Sequence, residues 1–177
     1  MTLLRTARLM LVLVLVGLAS AAGSAVRIEN ESPQPAWTEV SWPFLLDQWG
    51  IGQAFRCEHD GCGADARLFV RMKRGFCNCF QGVADDDEVD RLTDFEFLGG
   101  RSLPLGPGHP VKFADMSGRM RAFTVTNFEA SSRHAVSLVV AKDCDALVAT
   151  LISDRDAVLP DATMIKLLPP KILATLP

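Results

Sequence analysis

Arg67-Leu68-Phe69-Val70-Arg71-Met72-Lys73 alternates without a break. Leu68, Val70 and Met72 fall on one side of an extended chain, and Arg67, Phe69, Arg71 and Lys73 fall on the other. Successive side chains of a strand point to opposite sides of its sheet, so this pattern predicts a strand with one buried face. Just upstream, residues 53–58 predict a shorter strand ending at Cys57, and Asp60-Gly61 supplies a strong turn dipeptide between the two. Residues 53–73 therefore read as a β-hairpin.

Extended segments recur downstream. Strands are expected near 110–114, 119–127, 134–141 and 146–152, where Val136, Leu138 and Val140 alternate with smaller residues. Together they predict an antiparallel meander. Gly75 breaks the hairpin strand, and Asp85-Asp86-Asp87-Glu88 opens a helix over 85–92. Carboxylates in a first helical turn offset the unpaired N–H groups and the positive dipole end there. A short strand is expected over 93–98, and Gly99-Gly100 with Pro104 to Pro110 reads as a turn-rich loop. Pro160-Asp161 starts a second helix, Ala162 to Leu168, which Pro169-Pro170 stops. The expected class is α+β: a mostly antiparallel sheet with one or two helices packed on one face, stapled by disulfides.

The start of the chain supplies an address. Arg5 and Arg8 precede an unbroken apolar run, Leu9 to Leu18 apart from Gly17, and Ala19-Ser20-Ala21 has the small-x-small form that signal peptidase reads. Residues 1–21 are read as a signal peptide, and the run is short for a membrane-spanning helix. Residues 22–36, with Glu29-Asn30-Glu31-Ser32-Pro33-Gln34-Pro35, read as a polar linker, and 37–177 as a single globular domain. The expected location is periplasmic or extracellular, with no membrane span after cleavage. Losing Arg5 and Arg8 with the leader takes the formal charge from −3 to −5. A mildly acidic chain argues against nucleic acid as a partner, because that binding rests on clustered Lys and Arg.

Five cysteines, Cys57, Cys62, Cys77, Cys79 and Cys144, are the one constellation above background. In an exported chain they read first as disulfides. Cys57 and Cys62 flank a tight turn and suit a bridge across it. Cys77 and Cys79 are too close for an easy mutual bridge, so one of them is expected to reach Cys144. Joining the first pair to the second is the alternative. An odd number leaves one thiol over. A zinc or copper site built from Cys57, His59, Cys62, Cys77 and Cys79 is the rival reading, with Met72 as a further Cu(I) ligand, followed by thiol redox chemistry at Cys77-Asn78-Cys79.

Other candidates weigh less. An EF-hand loop started at Asp85 places Val89 where an oxygen ligand belongs and Asp90 where the sharp turn needs Gly, so a charged helix start explains the acidic run better. His59, His109 and His134 are scattered, and neither H-E-x-x-H nor G-x-S-x-G occurs. Gly106-Pro107-Gly108 lacks the ending of a phosphate loop. Trp37, Trp42 and Trp49, with Phe44, form either an exposed platform or rings packed onto the core, and core packing is favoured. Arg67, Arg71, Lys73, Arg119 and Arg121 read as a solvated sheet face balanced by the acidic helix.

Gly75-Phe76-Cys77-Asn78-Cys79, the acidic run Asp85 to Asp90, and Cys144-Asp145 resemble a group of small exported bacterial proteins, over most of the chain beyond the leader. The resemblance implies export and carries over no activity. The expected function is a non-enzymatic binding or envelope accessory protein, needing no cofactor and acting on a protein or small-molecule ligand. The alternative is a zinc- or copper-binding or thiol-redox protein using the cysteine cluster.

Overall fold

The computed structural model describes residues 37–57, 66–76, 81–98, 100–127 and 131–153, together with Ile165 and Leu168. Chain order is β1 (Trp37–Val40), β2 (Gln53–Cys57), β3 (Ala66–Arg74), α1 (Asp86–Leu92), a 3-10 turn (Phe95–Leu98), β4 (Gly100–Pro104), β5 (His109–Phe113), β6 (Met116–Asn127), β7 (Ser132–Lys142) and β8 (Asp145–Ser153). These strands form one sheet in the order β1-β2-β3-β8-β7-β6-β4, with β5 also on β6, and every pairing is antiparallel. The expected hairpin is β2 with β3, and the expected meander is β5 to β8.

The class differs from the expected α+β. This is a sheet-dominated fold, with one seven-residue helix among the described residues. No two cysteines among the described residues lie at disulfide distance from one another, while Cys57 and Cys144 are each disulfide-bonded. Cys57 faces Ala66 at one end of β3, and the turn holding Cys144 follows the pairing of Lys142 with Asp145 at the other. About 26 Å of strand separates those two ends at the usual rise per residue. The leader, the linker and the turn around Asp60 lie outside the described residues, as does the second helix apart from Ile165 and Leu168.

Both faces of the sheet are packed. One carries Leu68, Val70, Met120, Leu138, Leu147 and Leu151, against which Val111 and Phe113 of β5, Trp37, Ile165 and Leu168 pack. The other carries Phe69, Phe123, Val139 and Val148, under Val89 and Leu92 of α1, Phe95, and the half-buried rings of Trp42 and Phe44. The second face is the one that the alternation of 67–73 assigned to solvent. Arg71 is 2% exposed and Lys73 4%. Alternation reports that two faces differ in chemistry, and here the polar face meets polar partners instead of water.

Helix α1 forms where expected. Asp85 is its N-cap and accepts from the Glu88 N–H at 2.9 Å, and Arg91 stands in the last turn. The strand expected over 93–98 is instead the 3-10 turn. The chain there lies over the sheet face, away from any strand edge, so its amides bond locally, as Phe97 N–H does to the Asp94 carbonyl at 3.1 Å. Strand β4 falls where a loop was expected. Pro104 ends it at the sheet edge, where a missing N–H is tolerated.

Candidate functional site

Register builds the site. Arg71 of β3 lies opposite Val148, Val148 opposite Val139, and Val139 opposite Arg119 of β6. Lys73 and Arg121 share this face, so four cations flank a strip of small and apolar residues across four strands. Helix α1, its flanks and Asp47 of the β1–β2 loop supply the countercharges.

Arg71 is the centre of the first cluster. Its Nη1 donates to Asp47 Oδ1 at 2.8 Å, and its Nη2 donates to Asp94 Oδ1. Lys73 Nζ donates to the same Asp94 oxygen at 2.8 Å. The guanidinium lies 5.7 Å from the centre of the Trp42 ring and 5.6 Å from that of Phe97. Arg71, Lys73 and Asp94 are thus buried together, with half-buried Asp47 at the edge of the cluster, so the buried cations have the partners that a buried charge requires. Arg71 Nε is buried with no hydrogen-bond partner.

The second cluster joins β6 to α1. Arg119 Nε donates to Asp86 Oδ1 at 2.8 Å, and Arg121 Nη1 donates to both oxygens of Asp90 at 2.8 Å. Gly108 N–H reaches Asp86 Oδ2 at 2.9 Å, while the carbonyls of Gly108 and Gly106 accept from Arg119 and Arg121. The amide of Gly108 holds the Asp86 carboxyl below its usual range. Burial works against that shift, and Arg119 and Arg121 add to it. A Cβ at Gly108 would stand 2.6 Å from Asp86 Oδ1, so glycine is needed for this approach. Gly106-Pro107-Gly108 is therefore a backbone clamp on the ion pairs.

Asp47 also shapes the loop between β1 and β2. Its Oδ1 accepts from Trp49 N–H at 2.8 Å and its carbonyl accepts from Gly50 N–H at 3.1 Å, closing a turn with Gly50 at φ 75°. Inward, Trp42 packs edge-on to Phe44 at 4.9 Å, and Phe44 packs on Phe69 and Phe97. A Cβ on Gly52 would lie 2.5 Å from the Trp42 ring, so this glycine admits the indole. Outward, the same loop presents Leu45 at 82% exposure, Leu46 at 74% and Ile51 at 68%. Beside it lies a cleft of about 550 Å³, lined by Trp49, Ile51, Gln53, Met72 and Arg74 among others. A second cleft, about 570 Å³, lies by Gln81 and Ala84, with Lys112 and Ser117 facing each other across the β5–β6 pair.

Of the residues singled out from the sequence, the described ones lie at separate places in the sheet. Cys57 is buried in β2, and the carbonyl of Cys144 accepts from Phe76 N–H at 2.6 Å in the β7–β8 turn. Cys62, Cys77, Cys79 and His59 lie outside the described residues. His109 is on β5 and His134 on β7, opposite Met120 and Thr124. Among the described residues no group of three His, Cys, Asp or Glu is placed to hold a metal. The basic face is balanced by the acidic helix, though under cover. Sequence reasoning passed over Asp47 and the Leu45-Leu46 pair, and read Asp94 only with the acidic run. The Asp47-Gln48-Trp49-Gly50 turn signature was the available signal. No family model matches this chain, and no curated protein matches it significantly.

Proposed function

We propose that this chain is an exported, non-enzymatic binding protein, an accessory factor of the cell envelope, whose binding surface is the β1–β2 loop and the cleft beside it. The observation that carries this reading is the outward presentation of Leu45, Leu46 and Ile51 by a loop anchored to the buried Arg71. An apolar patch held in place by a built polar anchor is a binding surface by construction. The charged groups that the sheet gathers serve one another, each cation with a carboxylate. Among the described residues no helix is long and apolar enough to cross a membrane.

Cell fractionation tests the reading. The protein, cut near Ala21, should travel with the envelope, and Leu45→Ser/Leu46→Ser should release it without moving its thermal midpoint. Full-length protein in the cytoplasm, or a variant that fractionates like the parent, would overturn it.

A further inference from the structure

We infer that the β1–β2 loop docks on a phospholipid bilayer, with Leu45, Leu46 and Ile51 entering the acyl layer and Arg74 lying among anionic headgroups. This rests on the binding surface proposed above and names its partner.

Charge is the first argument. From Ser41 to Gln53 the only ionisable residue is Asp47, and it is turned inward onto Arg71. Nothing charged has to leave water when the tip enters an apolar medium. The exposed Arg74 lines the adjoining cleft and offers a cation to headgroup phosphates.

Side-chain type is the second. Protein hot spots favour exposed Trp, Tyr and Arg, with Leu under-represented. Here the arrangement is reversed: Trp42 is turned against Phe44, the Trp49 ring lies 5.6 Å from Lys73 Nζ, and the exposed tips are aliphatic. Leu and Ile are among the side chains most favourable in hydrocarbon, and Trp is enriched at the interface just above it. Three such side chains match roughly one acyl chain in carbon count, which sets the expected association constant at about 10⁴ M⁻¹. That is weak, reversible attachment.

Two of the chain's three tryptophans, Trp42 and Trp49, lie in this loop and the third, Trp37, in β1, so quenching reports on this part of the domain and not on the leader. Vesicles of phosphatidylcholine and phosphatidylglycerol carrying brominated acyl chains should quench the parent protein. Leu45→Ser/Leu46→Ser should weaken binding at least about tenfold. Leu103→Ser/Leu105→Ser, at the exposed pair by β4, should bind as the parent does. Arg74→Gln should bind about two- to threefold more weakly on these vesicles and unchanged on pure phosphatidylcholine. No quenching of the parent, or equal quenching of the Leu45/Leu46 variant, overturns the inference. If vesicles fail while the same variant still leaves the envelope in cells, the loop docks a protein and the broader reading survives. If the variant changes neither, both fall.

Discussion

Arg71 Nη1 donates to Asp47 Oδ1 at 2.8 Å, linking the middle of a buried strand to a surface loop 24 residues earlier. That one carboxylate also closes the turn through Trp49 and Gly50. Asp47→Ala should therefore lower the unfolding free energy by about 2 kcal/mol, less than a full buried-pair loss because Arg71 keeps Asp94. It should also speed hydrogen exchange at the amides of Trp49 and Gly50. Urea titration and exchange measurements check both, and a loss below about 0.5 kcal/mol would contradict the anchoring role.

Acid should weaken the α1–β6 contact. The Asp86 carboxyl titrates below its ordinary 3.8 in the folded protein. Its contribution is complete above the unfolded value and disappears as pH falls through the lower folded one. The stability gap between the parent and Asp86→Asn should be constant near neutrality and close below about pH 4. A gap that widened in acid would reverse the assigned sign.

Ser137 Oγ and Thr150 Oγ1 lie 2.8 Å apart on directly opposed strand positions, both buried. Removing one hydroxyl strands the other. Ser137→Ala alone should cost about 1–3 kcal/mol, while Ser137→Ala/Thr150→Val should be close to neutral. Additive losses in this double-mutant cycle would show that the two hydroxyls are not each other's partners.

Gly118 and Gly106 should respond oppositely to alanine. A Cβ at Gly118 would stand 2.0 Å from the Val139 carbonyl oxygen, in mid-strand, whereas at Gly106 it would meet nothing within 4 Å. Gly118→Ala should cost more than about 3 kcal/mol or abolish folding, and Gly106→Ala should stay within about 0.5 kcal/mol of the parent. Comparable thermal midpoints for the two variants would contradict the close approach of β6 and β7.

The strands from β5 to β8 were legible because each alternates or carries β-branched residues over its whole length. Helix α1 was legible from its acidic first turn and Asp85. Strand β4 was hidden, since Gly100 and Pro104 read as loop and only the neighbouring edge of β6 makes Arg101 to Leu103 a strand. Two packed faces also turned an expected α+β protein into a sheet-dominated one: the rings of Trp42, Phe44 and Phe95 cover ground that helices were expected to cover.

Local physics determined what local sequence could state: strand period, helix start, turn dipeptides and the two-sided chemistry of residues 67–73. Only the tertiary structure decided that Arg71 and Lys73 would be buried. That outcome needs Asp47 and Asp94, more than 20 residues away on either side in the chain, to arrive over the same strand and offset the loss of water. A sequence pattern records which face is polar. Whether that face meets solvent or a partner depends on long-range contacts that no local period encodes.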